Sequence, residues 1–187
     1  MSKLNAFVFT TLNGYFEGPD PGDISWHRHE QEESEFSADM LAFQSMLLFG
    51  RKTYEMMVCF WPTPAAMQAL PKVAEGMNRA EKIVFSRTMK QADWNNTRVV
   101  SDDLIGEVTR LKETSSRDLT ILGSGSIVTQ LGEAGLIDAY EIMIDPVALG
   151  SGSTLFKGLK GKLDLELKDS KVFRSGVVLL RYRPLQS

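Results

Sequence analysis

The chain has 187 residues, of which 43% are hydrophobic and 24% are charged, and its formal net charge is -3. This composition is typical of a folded globular chain, and the negative net charge gives no support to nucleic-acid binding. No apolar run reaches the length of a membrane span, the N-terminus shows no signal-peptide pattern and Cys59 is the only cysteine, so we expect a cytoplasmic protein without a disulfide or a cysteine-cluster metal site.

The first part of the chain alternates short apolar runs with segments of helical periodicity. Its predicted strands are 4–10, 46–49, 82–85 and 97–100. Its predicted helices are a short one capped by Ser37 and running through Met46, then 53–58, 65–76 and 102–114, the last capped by Ser101 or Asp102.

The second part begins with a strand, a small-residue turn and a helix between Leu119 and Leu131. Strands are then predicted at 139–144, 162–167 and 177–182, the last two joined by a turn near Asp169. Alternating strands and helices followed by a hairpin predict one α/β domain over residues 1–187. We expect a mainly parallel central sheet with an antiparallel C-terminal hairpin and helices on both faces.

The turn Gly123-Ser124-Gly125-Ser126 is a candidate anion site. The first turn of a helix leaves backbone N–H groups without partners, and the helix dipole adds positive potential there, which suits a pyrophosphate. A tight turn without a ligand explains the same residues. The stretch is not a complete Rossmann fingerprint, because Val128 stands where the third glycine belongs.

Two other turns also follow predicted strands. Gly50-Arg51 opens a helix, and Ser86-Arg87-Thr88 supplies two hydroxyl groups and a guanidinium. Ligands of open α/β sheets bind at the carboxyl ends of the strands. Three turns able to bind anions on one edge favour a dinucleotide phosphate over three empty loops.

Three segments, in this order, resemble the dihydrofolate reductase superfamily: LLFGRKTYE at 47–55, IVFSRT at 83–88 and ILGSGS at 121–126. They are most similar to the branch that contains the reductase domain of the bifunctional riboflavin-biosynthesis deaminase-reductase. A further signature of that branch resembles 146–152 together with Leu155-Phe156. The resemblance spans nearly the whole chain and implies a dihydrofolate reductase-like fold, an NADPH-dependent reductase activity and a homodimer.

The resemblance also assigns four groups of residues to NADPH. Leu12, Asn13 and Gly14 would lie near the nicotinamide, and Gly50, Arg51 and Thr53 would contact the adenine side and the phosphates. Ser86, Arg87 and Thr88 would surround the 2′-phosphate, and Gly123, Ser124, Gly125 and Ser126 would cradle the pyrophosphate. The two arginines favour NADPH over NADH, because an NADH site is expected to carry an acid at the ribose.

The substrate end is less well defined. Relatives often carry Asp where this chain has Asn13, so a carboxylate role is lost there. The folate enzymes use an acid on the helix after the first strand. The candidates for this acid here are Glu32, Glu33, Glu35 and Asp39. Each of them is also explained as a solvated surface charge. No proton donor can be named from the sequence.

Aromatic and histidine side chains between residues 26 and 61 offer two further hypotheses. Trp26, Phe36 and Trp61 either line an aromatic substrate pocket or pack in the core. His27 and His29 lie in a predicted loop without supporting cysteines, so we expect exposed side chains and no metal.

The predicted function is therefore hydride transfer from NADPH to a small heterocyclic substrate, with the protein supplying binding and orientation. The first candidate is a 5-amino-6-(5-phosphoribosylamino)uracil reductase of riboflavin biosynthesis. Dihydrofolate reduction is the second, and a non-catalytic NADP-binding protein is the third. An acidic stretch from Asp23 to Asp39 argues against the first candidate if it lines the mouth of the site, because it would repel a substrate phosphate.

Overall fold

The computed structural model describes residues 1–185 and centres on one eight-stranded sheet. Its strands are β1 (Leu4–Thr11), β3 (Met46–Gly50), β4 (Lys82–Phe85), β5 (Thr97–Val100), β6 (Leu119–Leu122), β7 (Ala139–Asp145), β9 (Leu165–Val172) and β10 (Val178–Pro184). A separate ribbon joins β2 (Tyr15–Glu17) to β8 (Ser153–Thr154). The sheet order is β5-β4-β3-β6-β1-β7-β10-β9.

The sheet is parallel from β5 through β7, and β10 runs antiparallel to both β7 and β9. Every residue of β4 and β6 is buried, as expected for parallel strands that are covered on both faces. The predicted fold class, a mainly parallel α/β sheet with an antiparallel C-terminal hairpin, is confirmed.

Six helices cover the two faces: α1 (Gln31–Ala42), α2 (Arg51–Val58), α3 (Pro64–Ala69), α4 (Pro71–Arg79), α5 (Leu104–Thr114) and α6 (Gly125–Glu133). Apolar residues of α1, α2 and α4 pack in one core cluster with Phe49 and Leu179. Those of α5 and α6 pack in a second cluster with Leu48 and Ile121. Phe49 and Leu48 are adjacent on β3, so the two clusters lie on opposite faces of the sheet. No helix within residues 1–185 is long and apolar enough to cross a membrane.

Both predicted bounds of the first helix are wrong. The first helix begins at Gln31 and ends at Ala42, so Ser37 lies inside it, and Met46 pairs with Leu119 in the sheet. The left-handed backbone of Gln44, with φ of 56°, separates the two elements.

The segment predicted as one helix over 65–76 is two helices, because Pro71 has no N–H to continue the helix and the backbone breaks at Leu70. The last predicted helix of the first part is capped by neither Ser101 nor Asp102. Its cap is Asp103, whose Oδ1 accepts a hydrogen bond of 2.9 Å from the Gly106 N–H.

The C-terminal hairpin is confirmed, but its predicted turn near Asp169 is wrong. Asp169 lies within β9 and pairs with Arg181 across the strands, and the chain reverses between Phe173 and Gly176. Since β9 is a mostly exposed edge strand, its charged residues face solvent and resemble a turn in the sequence.

Candidate functional site

A cleft of about 800 Å³ opens at the carboxyl ends of the parallel strands. The turns that follow β3, β4, β5 and β6 all contribute to its wall. This is the edge at which open α/β sheets bind ligands. The cleft therefore brings together the three turns that the sequence marked as anion sites.

Ser124 joins two of these turns. Its hydroxyl oxygen accepts a hydrogen bond of 2.8 Å from the Gly50 N–H, and its hydroxyl donates to Thr53 Oγ1 over 2.7 Å. The side chain is almost fully buried and the backbone is left-handed, with φ of 58°. The start of α2 and the start of α6 are thus held in a fixed relation to each other.

The start of α6 fits the pyrophosphate of a dinucleotide. The backbone N–H groups of Gly125 and Ser126 find no acceptor within residues 1–185, so they remain available to an anion. A Cβ atom at Gly125 would lie 2.8 Å from the ring of Phe16, so this close approach requires glycine. Gly123 has φ of 59°, which also favours glycine.

The candidate residues for the 2′-phosphate differ in their position relative to the cleft and in their ion-pair partners. Arg87 lies on the cleft wall and its side chain has no ion-pair partner within the described chain, whereas the Arg51 guanidinium is 3.0 Å from the Glu55 carboxylate. Ser86 also lines the cleft, but Thr88 does not.

Asp102 lines the cleft on the turn after β5, beside the turn that carries Arg87. The sequence indicates Asp102 only as a candidate helix cap, because the pairing of β4 with β5 is what brings it to the cleft.

The three residues expected near the nicotinamide do not line this cleft. Leu12 is 71% exposed. The Asn13 amide donates to the Leu149 carbonyl over 2.8 Å, and its Oδ1 accepts from the Thr11 hydroxyl and the Leu149 N–H. Gly14 has φ of 84° at the turn before β2. Asn13 thus ties the loop after β1 to the loop after β7.

Of the three candidate pocket aromatics, Trp61 lines the cleft and the other two do not. Phe36 packs edge-on against Phe173, with 5.9 Å between the ring centroids, and the Trp26 indole N–H donates to the Asp23 carbonyl. Phe9 and Phe16 contribute to the cleft wall instead. Side chains alternate between the two faces along β1, so Phe9 must lie on one face of the sheet. The sequence alone does not indicate that a cleft opens on this face.

The structure separates the four acids of the first helix. Glu33 is 2% exposed and lines the cleft, whereas Glu32, Glu35 and Asp39 lie outside it. Glu33 Oε1 accepts a hydrogen bond from the Ser175 hydroxyl, and Oε2 is buried with no partner among the described residues. A buried carboxylate oxygen without a donor is costly, so it marks a place where a ligand N–H group is expected.

The expectation of exposed histidines is wrong for His27. Its ring is buried on the cleft wall, and its Nδ1 is 2.8 Å from the buried Asp145 carboxylate. His29 is exposed and also lines the cleft, with its ring edge-on to that of His27. Loss of hydration, followed by the charge of His27, lowers the pKa of His29.

Charge is distributed unevenly along the cleft. Among the described lining residues, the lysines and arginines are Arg51, Lys52, Arg87 and Lys157. The first three are on the turns after β3 and β4, and Lys157 follows Leu155, whose carbonyl lies against Gly125. Arg28 is not among these lining residues, but its guanidinium donates to the carbonyl of Ser175, the residue whose hydroxyl donates to Glu33.

Comparisons with known proteins confirm the resemblance. YyaP of Bacillus subtilis (strain 168), an uncharacterized protein, is 29% identical over 172 residues, covering 92% of this chain and 89% of YyaP. A solved structure from Shewanella sp. PV-4, named as a candidate riboflavin biosynthesis protein, has a TM-score of 0.77 at 20% identity, with 98% of this chain and 99% of that chain covered. Dihydrofolate reductase from Enterococcus faecalis, solved with NADP(H) and RAB-propyl, has a TM-score of 0.67 at 17% identity, with 98% and 97% covered.

The two solved structures share the fold of this chain, and the family follows from the sequence. The family model described as the RibD C-terminal domain matches residues 2–179. That match contains the strand-end turns, Glu33 and the His27–Asp145 pair. The chain therefore belongs to the RibD C-terminal domain family.

Proposed function

We propose that this protein is an NADPH-dependent reductase that transfers hydride to a flat heterocyclic substrate. The observation that carries the proposal is the combination, in one cleft, of strand-end turns suited to an anion with Glu33, whose buried Oε2 has no partner among the described residues. The first feature suits a dinucleotide and the second suits a ring that carries N–H groups.

The chain's part in this reaction is binding and orientation. Gly125 and Ser126 would hold the pyrophosphate through their backbone N–H groups, and Arg87 would hold the 2′-phosphate. The bound cofactor supplies the hydride. Trp61, Met57 and other apolar residues of the wall exclude water from the reacting atoms.

Two substrates fit this proposal. Membership of the RibD C-terminal domain family favours 5-amino-6-(5-phosphoribosylamino)uracil, the substrate of riboflavin biosynthesis. The second substrate is a dihydropteridine such as dihydrofolate, whose ring N–H groups suit the buried Glu33 Oε2 that has no partner among the described residues. Measured turnover of each substrate decides between the two.

The test is a screen for NADPH oxidation, with and without each of these two substrates, on the purified full chain. Glu33→Gln keeps the size of the side chain but loses the charge, so we expect kcat/KM to fall by at least about tenfold, the usual loss of a charged hydrogen bond. Glu35→Gln is the matched control, because Glu35 lies on the same helix and accepts only from Gln31 at the surface. Tight NADPH binding without oxidation in either reaction would favour the non-catalytic NADP-binding protein.

We also propose that two copies associate. Strand β9 ends the sheet, and its Leu167 and Val172 side chains are exposed, so its unpaired edge is available to a second chain. Light scattering at micromolar concentration should give the mass of a dimer. The mass of one chain would contradict the proposed homodimer and leave the proposed reaction unaffected.

A further inference from the structure

His27 and Asp145 form a buried pair in the cleft, at the end that also carries Glu33. Asp145 ends β7 and is 0% exposed, and its Oδ2 is 2.8 Å from His27 Nδ1. Its other oxygen accepts a hydrogen bond of 2.9 Å from the Arg28 N–H. A buried carboxylate requires such donors, and His27 is the only side chain within residues 1–185 that donates to it.

The pair determines which nitrogen of His27 exchanges protons. Because Nδ1 faces a carboxylate, Nδ1 keeps its hydrogen and donates it to Asp145. Nε2 makes no hydrogen bond with the described residues and is left to the cleft. The ring also stacks on Phe9, with 3.7 Å between centroids and 15° between planes, which limits its rotation.

Three titratable side chains lie around His27. Asp145 lies against Nδ1, and Glu33 on α1 faces the same end of the cleft. His29, whose ring centroid is 4.5 Å from that of His27, is the opposing group when it is protonated. The guanidinium of Arg28, the residue after His27, donates to the carbonyl of Ser175.

We propose that His27 is the proton donor of this reduction and that Asp145 is its positioning residue, an inference that rests on the proposed function. The carbon of a substrate C=N bond receives the hydride, with its electron pair, from NADPH. The nitrogen takes the Nε2 proton as the π pair becomes an N–H bond. The products are the reduced CH–NH group, NADP⁺ and neutral His27. His27 then regains a proton from water at Nε2, while its Nδ1–H group remains hydrogen-bonded to Asp145.

Glu33 has a separate role in this scheme. Its Oε1 is occupied by the Ser175 hydroxyl, and its free Oε2 accepts a hydrogen bond from a ring N–H as a carboxylate. The anchor and the donor are therefore different residues, and their variants are expected to differ. Loss of Glu33 raises KM, whereas loss of His27 lowers kcat.

The first experiment needs no substrate and uses the wild-type protein. Nitrogen NMR of ¹⁵N-histidine-labelled protein, titrated with pH, reports the tautomer of each histidine. We expect neutral His27 to carry its hydrogen on Nδ1 and to change at Nε2 when it titrates. A neutral His27 with its hydrogen on Nε2 overturns the proposal whatever the activity.

The second experiment measures kcat, KM and the pH profile for His27→Gln and for the control Glu35→Gln, whose side chain is exposed outside the cleft lining, with whichever of the two substrates the wild type reduces. General acid catalysis contributes about 10²- to 10⁴-fold, so kcat of His27→Gln should fall by about that factor with KM within threefold. The fall of wild-type kcat with rising pH should be absent in His27→Gln and present in Glu35→Gln.

Calorimetry with NADP⁺ shows whether each variant retains a folded cofactor site. A folded His27→Gln protein that keeps kcat within threefold overturns this inference alone. If the wild type oxidises NADPH with neither substrate, the proposed function fails and the donor role fails with it.

Discussion

The Ser124 hydroxyl bridges two strand-end turns, since its oxygen lies 2.8 Å from the Gly50 nitrogen and 2.7 Å from Thr53 Oγ1. Residues 50 and 124 are far apart in sequence, so this contact couples the start of α2 to the start of α6. The two helix starts form one wall of the cleft, and their relative position depends on one buried hydroxyl.

Replacing Ser124 by alanine should therefore destabilise the fold. Ser124→Ala leaves the Gly50 N–H without its acceptor, which costs about 1–3 kcal/mol. Urea denaturation measures the change in the free energy of unfolding. Ser126→Ala is the control, because Ser126 is exposed two positions further along the same turn and should change stability by less than about 0.5 kcal/mol. Equal effects of both substitutions would show that the bridge contributes nothing.

A second prediction concerns Lys82, a fully buried lysine that caps the C-terminal end of α4. Its ammonium group donates to the carbonyls of Met77 and Ala80 over 2.9 and 2.6 Å and lies 4.6 Å from the centre of the Trp94 ring. Lys82→Met keeps the aliphatic length but leaves these carbonyls without their donor, so we expect a loss of about 1–3 kcal/mol near neutral pH. Lys72→Met, on the exposed first turn of α4, is the matched control for urea denaturation.

The same substitution tests a pH dependence. Burial lowers the pKa of Lys82 from 10.5 to about 8. Between these two values the unfolded chain binds more protons than the folded protein, so this lysine makes stability rise as pH increases from about 8 towards 10.5. The wild type should show this rise relative to Lys82→Met. Parallel stability curves over this range would mean that the carbonyls keep the ammonium charged in the fold.

Glu107 should make stability depend on pH in the acid range, because the folded state favours its charged form. Hydrogen bonds from Arg110 and then from Arg98 lower the pKa of its carboxyl from 4.5 to about 2. The ionised form is favoured in the folded state, so its contribution is present above pH 4.5 and is lost as pH falls towards about 2. Glu107→Gln should flatten this acid limb of thermal stability relative to the wild type. Glu113→Gln, on the same helix and in no ion pair of the described chain, should leave the limb unchanged.

The parallel part of the fold was predictable because each strand carries its own local signal. The runs Leu119–Leu122 and Ile83–Phe85 consist of apolar and β-branched residues and end at small or polar residues, and both are buried strands. The edge strand β9 carries no such signal, because solvent accepts charged residues along its length. Its predicted turn at Asp169 was wrong for that reason.

The candidate site was predictable only as far as local turns describe it. The four acids of α1 are equivalent in sequence, and Glu33 differs because Ser175, from the distant C-terminal hairpin, reaches its carboxylate. The same holds for His27, whose partner Asp145 is 118 positions away. Periodicity and turn chemistry contain no information about such contacts, since they depend on how the sheet brings distant segments together.

The last prediction concerns the choice between NADPH and NADH. The two cofactors differ only in the 2′-phosphate, and Arg87 is a cleft-lining guanidinium without an ion-pair partner in the described chain. Arg87→Ala should weaken NADPH binding by about 1.5–3 kcal/mol, or one to two decades, and leave NADH binding nearly unchanged. Arg51→Ala should show a smaller loss, because Glu55 already neutralises part of the Arg51 charge. Lys90→Ala, outside the cleft lining, controls for the change in net charge. Calorimetric titration of both cofactors into each variant measures the effect, and equal losses for NADH and NADPH in Arg87→Ala would show that this arginine does not bind the 2′-phosphate.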